Sequence, residues 1–331
     1  MTTALVTGAG GQDGILAARR LAAEGCRVVG TVRPGWSSPL SVYLDGVDVV
    51  EADLRDGAAM DDLVAQVRPD EVYHLAGFTS VAESRRAPDL VAEVNDRAVE
   101  RLLTSCRKHA PAARVFLASS AEVFGPDVTG RCSETTPLDP RSPYAESKVR
   151  VHEHAAAARA DGQFAAVGVL FNHESPIRSR SFVTRKISHA VASIACGSTE
   201  PLVLGNLDVS RDWGAAVDTV DAMVRMVRAA EPRDVVVATG ELRSIRELVE
   251  AAAAAGGIGD PWSHVTQDPA LMRAADTPGA VADTSLATDW LGWSPSTSFE
   301  DLVAEMVSTD VRRIESGVEE SADYLLQPRP R

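Results

Sequence analysis

A doubly wound, parallel α/β sheet carrying a smaller α/β lobe is the architecture that the sequence predicts. Three observations point to it. Short β-branched runs alternate with longer amphipathic stretches through the first part of the chain, the strand, helix, strand rhythm of a parallel sheet covered on both faces. A glycine-rich turn follows the first of these runs directly, and beyond Leu170 the alternation loosens in the manner of insertions.

The first strand is expected over 4–7 and the first helix over 14–24. Strands follow at 27–32, 47–50, 71–75, 115–119 and 165–170, with helices near 61–67, 89–109 and 144–160. Pro143 suits the opening turn of that last helix, where its missing N–H leaves no bond unmade. Residues 171–176 read as a loop, 182–197 as a helix and 235–238 as another buried strand. Ser244 and Glu247 have capping-box spacing and open a helix through Ala255. A final helix is expected over 299–314, and 327–331 read as a frayed tail.

At 331 residues, with 45% hydrophobic and 24% charged residues, the chain can bury a substantial core. A formal charge of −14 and a pI near 5.0 argue against non-specific nucleic-acid binding and against attachment to an anionic membrane. Any anionic substrate must therefore meet local arginines. Cys26, Cys106, Cys132 and Cys196 show neither C-x-x-C nor zinc-like spacing, which suits reduced thiols. His152 and His154, two apart on a helix, do not share a face; no metal site is expected there, and a solvated surface is the reading. The chain enters its first strand without a charged and apolar leader, and no apolar run reaches spanning length, so cytoplasmic residence is expected.

Thr7-Gly8-Ala9-Gly10-Gly11-Gln12-Asp13-Gly14 places Gly8, Gly11 and Gly14 between a strand and a helix. That context suits dinucleotide binding: glycine permits the tight turn, and backbone N–H groups at a helix N-terminus meet the pyrophosphate. Gln12 and Asp13 belong to the same loop. After the second strand Arg33 stands where an acid would accept the ribose hydroxyls of NAD, which favours the 2′-phosphate of NADP. Asp53 and Leu54, after the third strand, either edge the adenine or are plain loop residues. Leu75 and Ala76, ending the fourth strand, are further cofactor candidates, and Thr79 is a substrate candidate.

Tyr144 and Lys148 lie one helical turn apart on one face, so an ammonium can favour the phenolate and make a base of the tyrosine. Ser120 and Glu122 follow the strand over 115–119. On an extended segment residues i and i+2 share a side, so both could reach one bound ligand. His173 is open between a substrate contact and a structural hydrogen bond.

With these residues in place, the chain resembles the extended short-chain dehydrogenase/reductases, and within them the GDP-mannose 4,6-dehydratases. The specific stretches are the glycine loop, Pro140 to Lys148, Leu170 to Pro176, Phe182 to Ile187, and Leu204-Gly205-Asn206-Leu207-Asp208 running to Arg211-Asp212-Trp213-Gly214. The resemblance implies a Rossmann-type NADP-binding domain over 1–170, with returning segments near 206–240, and a substrate-binding lobe from 171–205 and 241–325. It implies a lyase in which Tyr144, Ser120, Glu122 and Lys148 carry an internal redox elimination on a nucleotide diphosphate sugar. Asn172, Val183, Lys186, Arg211, Arg273 and Asp276 would bind that substrate, and a homodimer or homotetramer is implied. Pro34 replaces a second arginine of the family, in a loop that touches NADP in relatives. Phe78, Phe124 and Thr219 replace polar residues and imply a drier pocket. A 4-ketoreductase or 4-epimerase of the same family is the alternative, because the segment from Ser119 to Gly125 also resembles epimerase segments.

Overall fold

Residues 1–128, 130–272 and 279–325 are described by the structure, a computed structural model. Seven strands, β1 Thr3–Thr7, β2 Arg27–Val32, β3 Asp48–Glu51, β4 Glu71–His74, β5 Arg114–Ser120, β6 Phe164–Leu170 and β7 Asp234–Val237, form one sheet. All of its pairings are parallel and the spatial order is β7-β6-β5-β4-β1-β2-β3. Strand order reverses between β1 and β4, and in open sheets of this kind ligands bind beyond the carboxyl ends of the strands at that reversal.

The near-continuous apolar strands follow from burial on both faces. Ala4, Val6, Val28, Tyr73 and Phe116 point to one side, where they pack on helices α1 Gln12–Ala23 and, far along the chain, Ala216–Arg228. Their neighbours Leu5, Val29, Val72, Val115 and Leu117 point to the other. There the helices are α2 Gly57–Val67, α3 Ala98–His109 and α4 Pro143–Ala160. Beyond β6 come α5 Val183–Ala195, α6 (the Ala216–Arg228 helix), α7 Ile245–Ala255 and α8 Phe299–Ser316. A second core, with Ile187, Val191, Leu204, Trp213, Leu248, Val249 and Val303, draws on α5, α7 and α8 and forms the smaller lobe.

The capping box is present in full: Ser244 Oγ accepts the Glu247 N–H at 3.1 Å, and the Glu247 carboxylate accepts the Ser244 N–H at 2.7 Å. Three local expectations change. The stretch 171–176 contains a short strand, Asn172–Glu174, paired in parallel with Trp213–Ala215. The helix expected over 89–109 is Pro88–Ala92, then a π-turn over Glu93–Arg97, then α3. His152 and His154 are half-buried and bonded: His152 to Asp234 (2.6 Å) and Ser119 (2.9 Å), His154 to Asp96 (2.6 Å). Neighbouring elements cover both sides of α4, so even residues on different faces find partners. The tail over 327–331 lies outside the described residues.

The smaller lobe is locked by a buried ion pair. The Arg185 guanidinium donates to both oxygens of Asp310 (2.6–3.1 Å), and also to the carbonyls of Pro176 (2.5 Å) and Arg178 (3.0 Å). Ser188 Oγ and Arg313 complete the Asp310 shell at 2.9 and 3.1 Å. Arg313 also pairs with Glu320 at 2.6 Å, so Asp310→Ala should leave Arg185 alone without a carboxylate in the interior and lower stability by about 3–5 kcal/mol, seen as an earlier midpoint in urea unfolding.

Candidate active site

The glycine loop is shaped for a phosphate. Gly8 has φ +75°, and a Cβ there would lie 2.7 Å from the Ala76 nitrogen; a Cβ on Gly14 would lie 2.1 Å from the Gly8 carbonyl. Gly11 is exposed, and a Cβ there would meet only that carbonyl at 3.4 Å. Gly11 caps α1 without a side-chain bond, so the first-turn N–H groups stay open to an anion. These residues fit a dinucleotide.

The side chains of Gln12 and Asp13 are engaged elsewhere. Gln12 Nε2 donates to the His173 carbonyl at 3.0 Å, and its Oε1 accepts from Ser175 Oγ at 2.8 Å. Asp13 pairs with His173 Nε2 at 2.9 Å, while His173 Nδ1 meets the Phe171 carbonyl at 2.7 Å. Burial opposes both charges of this pair, yet their attraction prevails: Asp13 is held below its ordinary value and His173 above it. The open reading of His173 thus resolves to a structural link.

Around the rest of the cofactor cradle, Arg33 is exposed at the end of β2. Asp53 is gripped by the Arg55 guanidinium and N–H, which bring its carboxyl down to about 2. Leu75 and Ala76 leave β4, with the Leu75 and Ala76 N–H groups donating to the Thr7 carbonyl (3.2 Å) and Oγ1 (3.3 Å). Just beyond, Phe78 is clamped at both backbone groups by the buried Asn95 side chain, at 2.7 and 3.0 Å, and Thr79 follows it, exposed.

Ser120 and Glu122 come together differently from the extended geometry expected. Ser120 ends β5 and caps a 3₁₀ turn, Ala121–Phe124, in which Ser120 Oγ accepts the Glu122 N–H at 3.3 Å. A serine side chain readily takes over a neighbouring N–H in this way. The turn leaves Glu122 exposed and near enough to Tyr144 to act on its phenol electrostatically.

Tyr144 opens α4, which is capped by Ser142 Oγ accepting the Ala145 N–H at 3.1 Å, with Pro143 in the first turn. Burial pushes its phenol above the ordinary value; a hydrogen bond with Ser120 pulls it back, Glu122 adds to the rise, and Arg178 opposes it. Lys148 Nζ donates to the Ala118 carbonyl at 2.8 Å and lies 5.8 Å from the Tyr144 ring centre. Burial brings its ammonium down to about 8. His74, facing that cation, is held to about 3 by burial and by Lys148, and so is neutral.

The substrate candidates spread along the smaller lobe. Asn172 opens the short strand and is exposed, as is Val183 at the start of α5. Lys186 Nζ is tied to the Val203 carbonyl at 2.6 Å, and Arg211 Nη1 to the Ser210 carbonyl at 2.7 Å. Arg273 and Asp276 lie outside the described residues. Phe124 and Thr219 are buried, Phe124 against Phe171 and Thr219 bonded to the Ala215 carbonyl. The dryness expected of them belongs to the interior, and only Phe78 keeps accessible surface.

Two residues that sequence reasoning missed join the site. Asn95 sits on the π-turn and also donates to Ser147 Oγ at 3.1 Å, so it braces α4 against the loop after β4. Arg178 stacks on Phe182 at 3.6 Å, approaches Glu174 at 3.1 Å and acts on Tyr144. Neither residue carries a local signal; only the tertiary fold brings it in. A cavity of about 480 Å³ between α1, α6 and α8 is lined by none of the catalytic candidates, which stand instead at and beyond the open end of β5 and at the start of α4. Among the described residues no group of side chains could hold a metal ion, and no helix is long and apolar enough to cross a membrane.

This geometry has counterparts among known proteins. The sequence model for GDP-mannose 4,6 dehydratase matches residues 5–306. GDP-mannose 4,6 dehydratase 1 of Arabidopsis thaliana is 39% identical over 325 residues, covering 93% of this chain and 89% of that one. The Homo sapiens GDP-mannose 4,6 dehydratase is 35% identical over 338 residues, covering 93% and 91%. Among solved structures, RMD from Pseudomonas aeruginosa complexed with NADPH superposes with a TM-score of 0.79 at 25% identity, covering 95% of this chain and 100% of that chain. UDP-glucose 4-epimerase of Thermus thermophilus in complex with NAD gives 0.81 at 25%, covering 93% and 99%. A family match across nearly the whole length, on a doubly wound sheet with an intact tyrosine, lysine, serine and glutamate set, shows that the chain belongs to the GDP-mannose 4,6 dehydratase family of lyases.

Proposed function

We propose that this enzyme converts GDP-mannose to GDP-4-keto-6-deoxy-mannose, with NADP held in the cradle of Gly8, Gly11, Gly14 and Arg33. The observation that carries the reading is Glu122, set beside Tyr144 by the turn that Ser120 caps. The bound nicotinamide would accept hydride from C4 of the sugar and return it to C6, ending unchanged.

The chain's own groups move the protons. Tyr144, as phenolate, takes the O4 proton while Ser120 hydrogen-bonds O4. The new ketone acidifies the C5 hydrogen, which Glu122 removes and passes to the departing C6 hydroxyl, so that water leaves. The proton held by Tyr144 then goes to C5 as hydride reaches C6, and the balance closes. Because burial, with the charge of Glu122 adding to it, holds Tyr144 high, its phenolate depends on added positive charge, which Lys148 and an oxidised nicotinamide would supply together. Asn172, Lys186 and Arg211 would grip the nucleotide diphosphate sugar, in keeping with the suitability of arginine for phosphate.

A ketoreductase or epimerase needs no base at C5, and the presence of Glu122 favours the dehydratase over both. We assign residues 1–170 and the returning segments near 206–240 to cofactor binding, and 171–205 with 241–325 to the substrate. A homo-oligomer residing in the cytoplasm completes the reading.

The purified enzyme, given GDP-mannose and NADP, should yield a product lighter by one water in the mass spectrum; no such loss from any nucleotide sugar would refute the assignment. Glu122→Gln should cut water loss by about 10²–10⁴-fold, while label at C4 of deuterated GDP-mannose still leaves the sugar. An epimerase would be indifferent to the same change. Loss of the Lys148 charge as pH rises through about 8 should weaken NADP binding to the cofactor-free protein, and Lys148→Met should abolish that pH dependence in a calorimetric titration.

A further inference from the structure

The chain leaves β2 through Arg33-Pro34-Gly35-Trp36, in which the Trp36 N–H donates to the Arg33 carbonyl at 2.9 Å and Gly35 takes φ +71°. Proline second and positive-φ glycine third are what a type II turn requires. The turn throws the indole back over the glycine loop. A Cβ on Gly10 would lie 2.6 Å from Cε2, 2.7 Å from Cζ2 and 2.8 Å from Nε1 of Trp36. Gly10 therefore lacks a side chain because an indole edge covers it, and that edge carries the ring N–H.

Neither this N–H nor the Arg33 guanidinium has a hydrogen-bond or ion-pair partner among the described residues. Trp36 is half-buried and Arg33 is exposed. The acids nearby in sequence are occupied: Glu51 accepts the Gly35 N–H at 3.0 Å, and Asp53 is held by Arg55. Two donors without acceptors thus end up in one four-residue turn, folded onto the loop that would carry the dinucleotide.

We infer that Trp36 is a cofactor-specificity residue whose indole N–H, together with Arg33, receives the 2′-phosphate of the adenosine ribose. This rests on the NADP reading above and adds a residue to it. A phosphate monoester offers three acceptor oxygens, enough for a guanidinium fork and a ring N–H at once. The 2′-hydroxyl of NAD, a single neutral oxygen, offers neither the charge nor enough acceptor sites for a guanidinium fork and a ring N–H together.

The test is calorimetric titration of the cofactor-free protein with NADP and, separately, with NAD. Trp36→Phe keeps an aromatic ring but removes the donor, and should raise the Kd for NADP by about 10- to 100-fold, the usual loss for a hydrogen bond to a charged group. The Kd for NAD should not move. Arg33→Ala should produce the same selective loss, and NADP should quench a share of the tryptophan fluorescence in the wild type that is missing in Trp36→Phe. Wild-type affinity for NADP in Trp36→Phe, with selectivity lost in Arg33→Ala, overturns the role of Trp36 and leaves the NADP reading standing. A wild type that prefers NAD, or fails to distinguish the two, overturns both.

Discussion

Three polar links fasten the tip of α1 to the segment that leaves β6: Asp13 to His173, Gln12 to the His173 carbonyl, and Gln12 to Ser175. The candidate site depends on them. The glycine loop alone could cradle a dinucleotide, but nothing in it says where a second ligand should lie. Because 172–174 also pairs with 213–215, and the carbonyls of Pro176 and Arg178 are held by Arg185, the cofactor loop is joined through this one segment to the second core. The pairing of Asp13 with His173, which draws the two values apart against the effect of burial, makes the joint directional: a rotated imidazole would lose both the carboxylate and the Phe171 carbonyl.

Under the proposed function, the candidate catalytic side chains would suit a state in which positive charge has been added. Tyr144 is more burdened by burial than relieved by its neighbours, and the Lys148 ammonium rests on the Ala118 carbonyl. His74, neutral and enclosed, adds no competing charge beside that ammonium. A phenol that ionises only when the nicotinamide is oxidised and in place would couple base strength to cofactor state. Asn95 bonded to Ser147 braces α4, and His152 bonded to Ser119 braces the end of β5, beside the hydroxyl and phenol of Ser120 and Tyr144.

Much of the fold was legible because burial on both faces writes itself into sequence as unbroken apolar strands. Val28 and Val29, or Phe116 and Leu117, could be placed without knowing which side each would take. The glycine loop and the Ser244 capping box were equally plain, since each is set by backbone geometry within a few residues. What escaped was tertiary. The turn at Ser120 depends on one side chain capturing the Glu122 N–H. The short strand at 172–174 exists only because 213–215 arrives beside it. Asn95 is drawn inward by a π-turn that no local periodicity announces, and Arg178 acquires its role from Phe182, Glu174 and Tyr144 meeting around it.

The second core is sewn from separate stretches. Residues of α5, α7 and α8 meet in it, while between them the chain goes back to lay α6 on the sheet and to add β7 at its edge. No single cut of the polypeptide frees this lobe. Exchange of this lobe by recombination would have to replace several tracts at once and keep the Arg185–Asp310 bond that spans two of them, so change in the lobe is more accessible through single side chains than through transplanted modules.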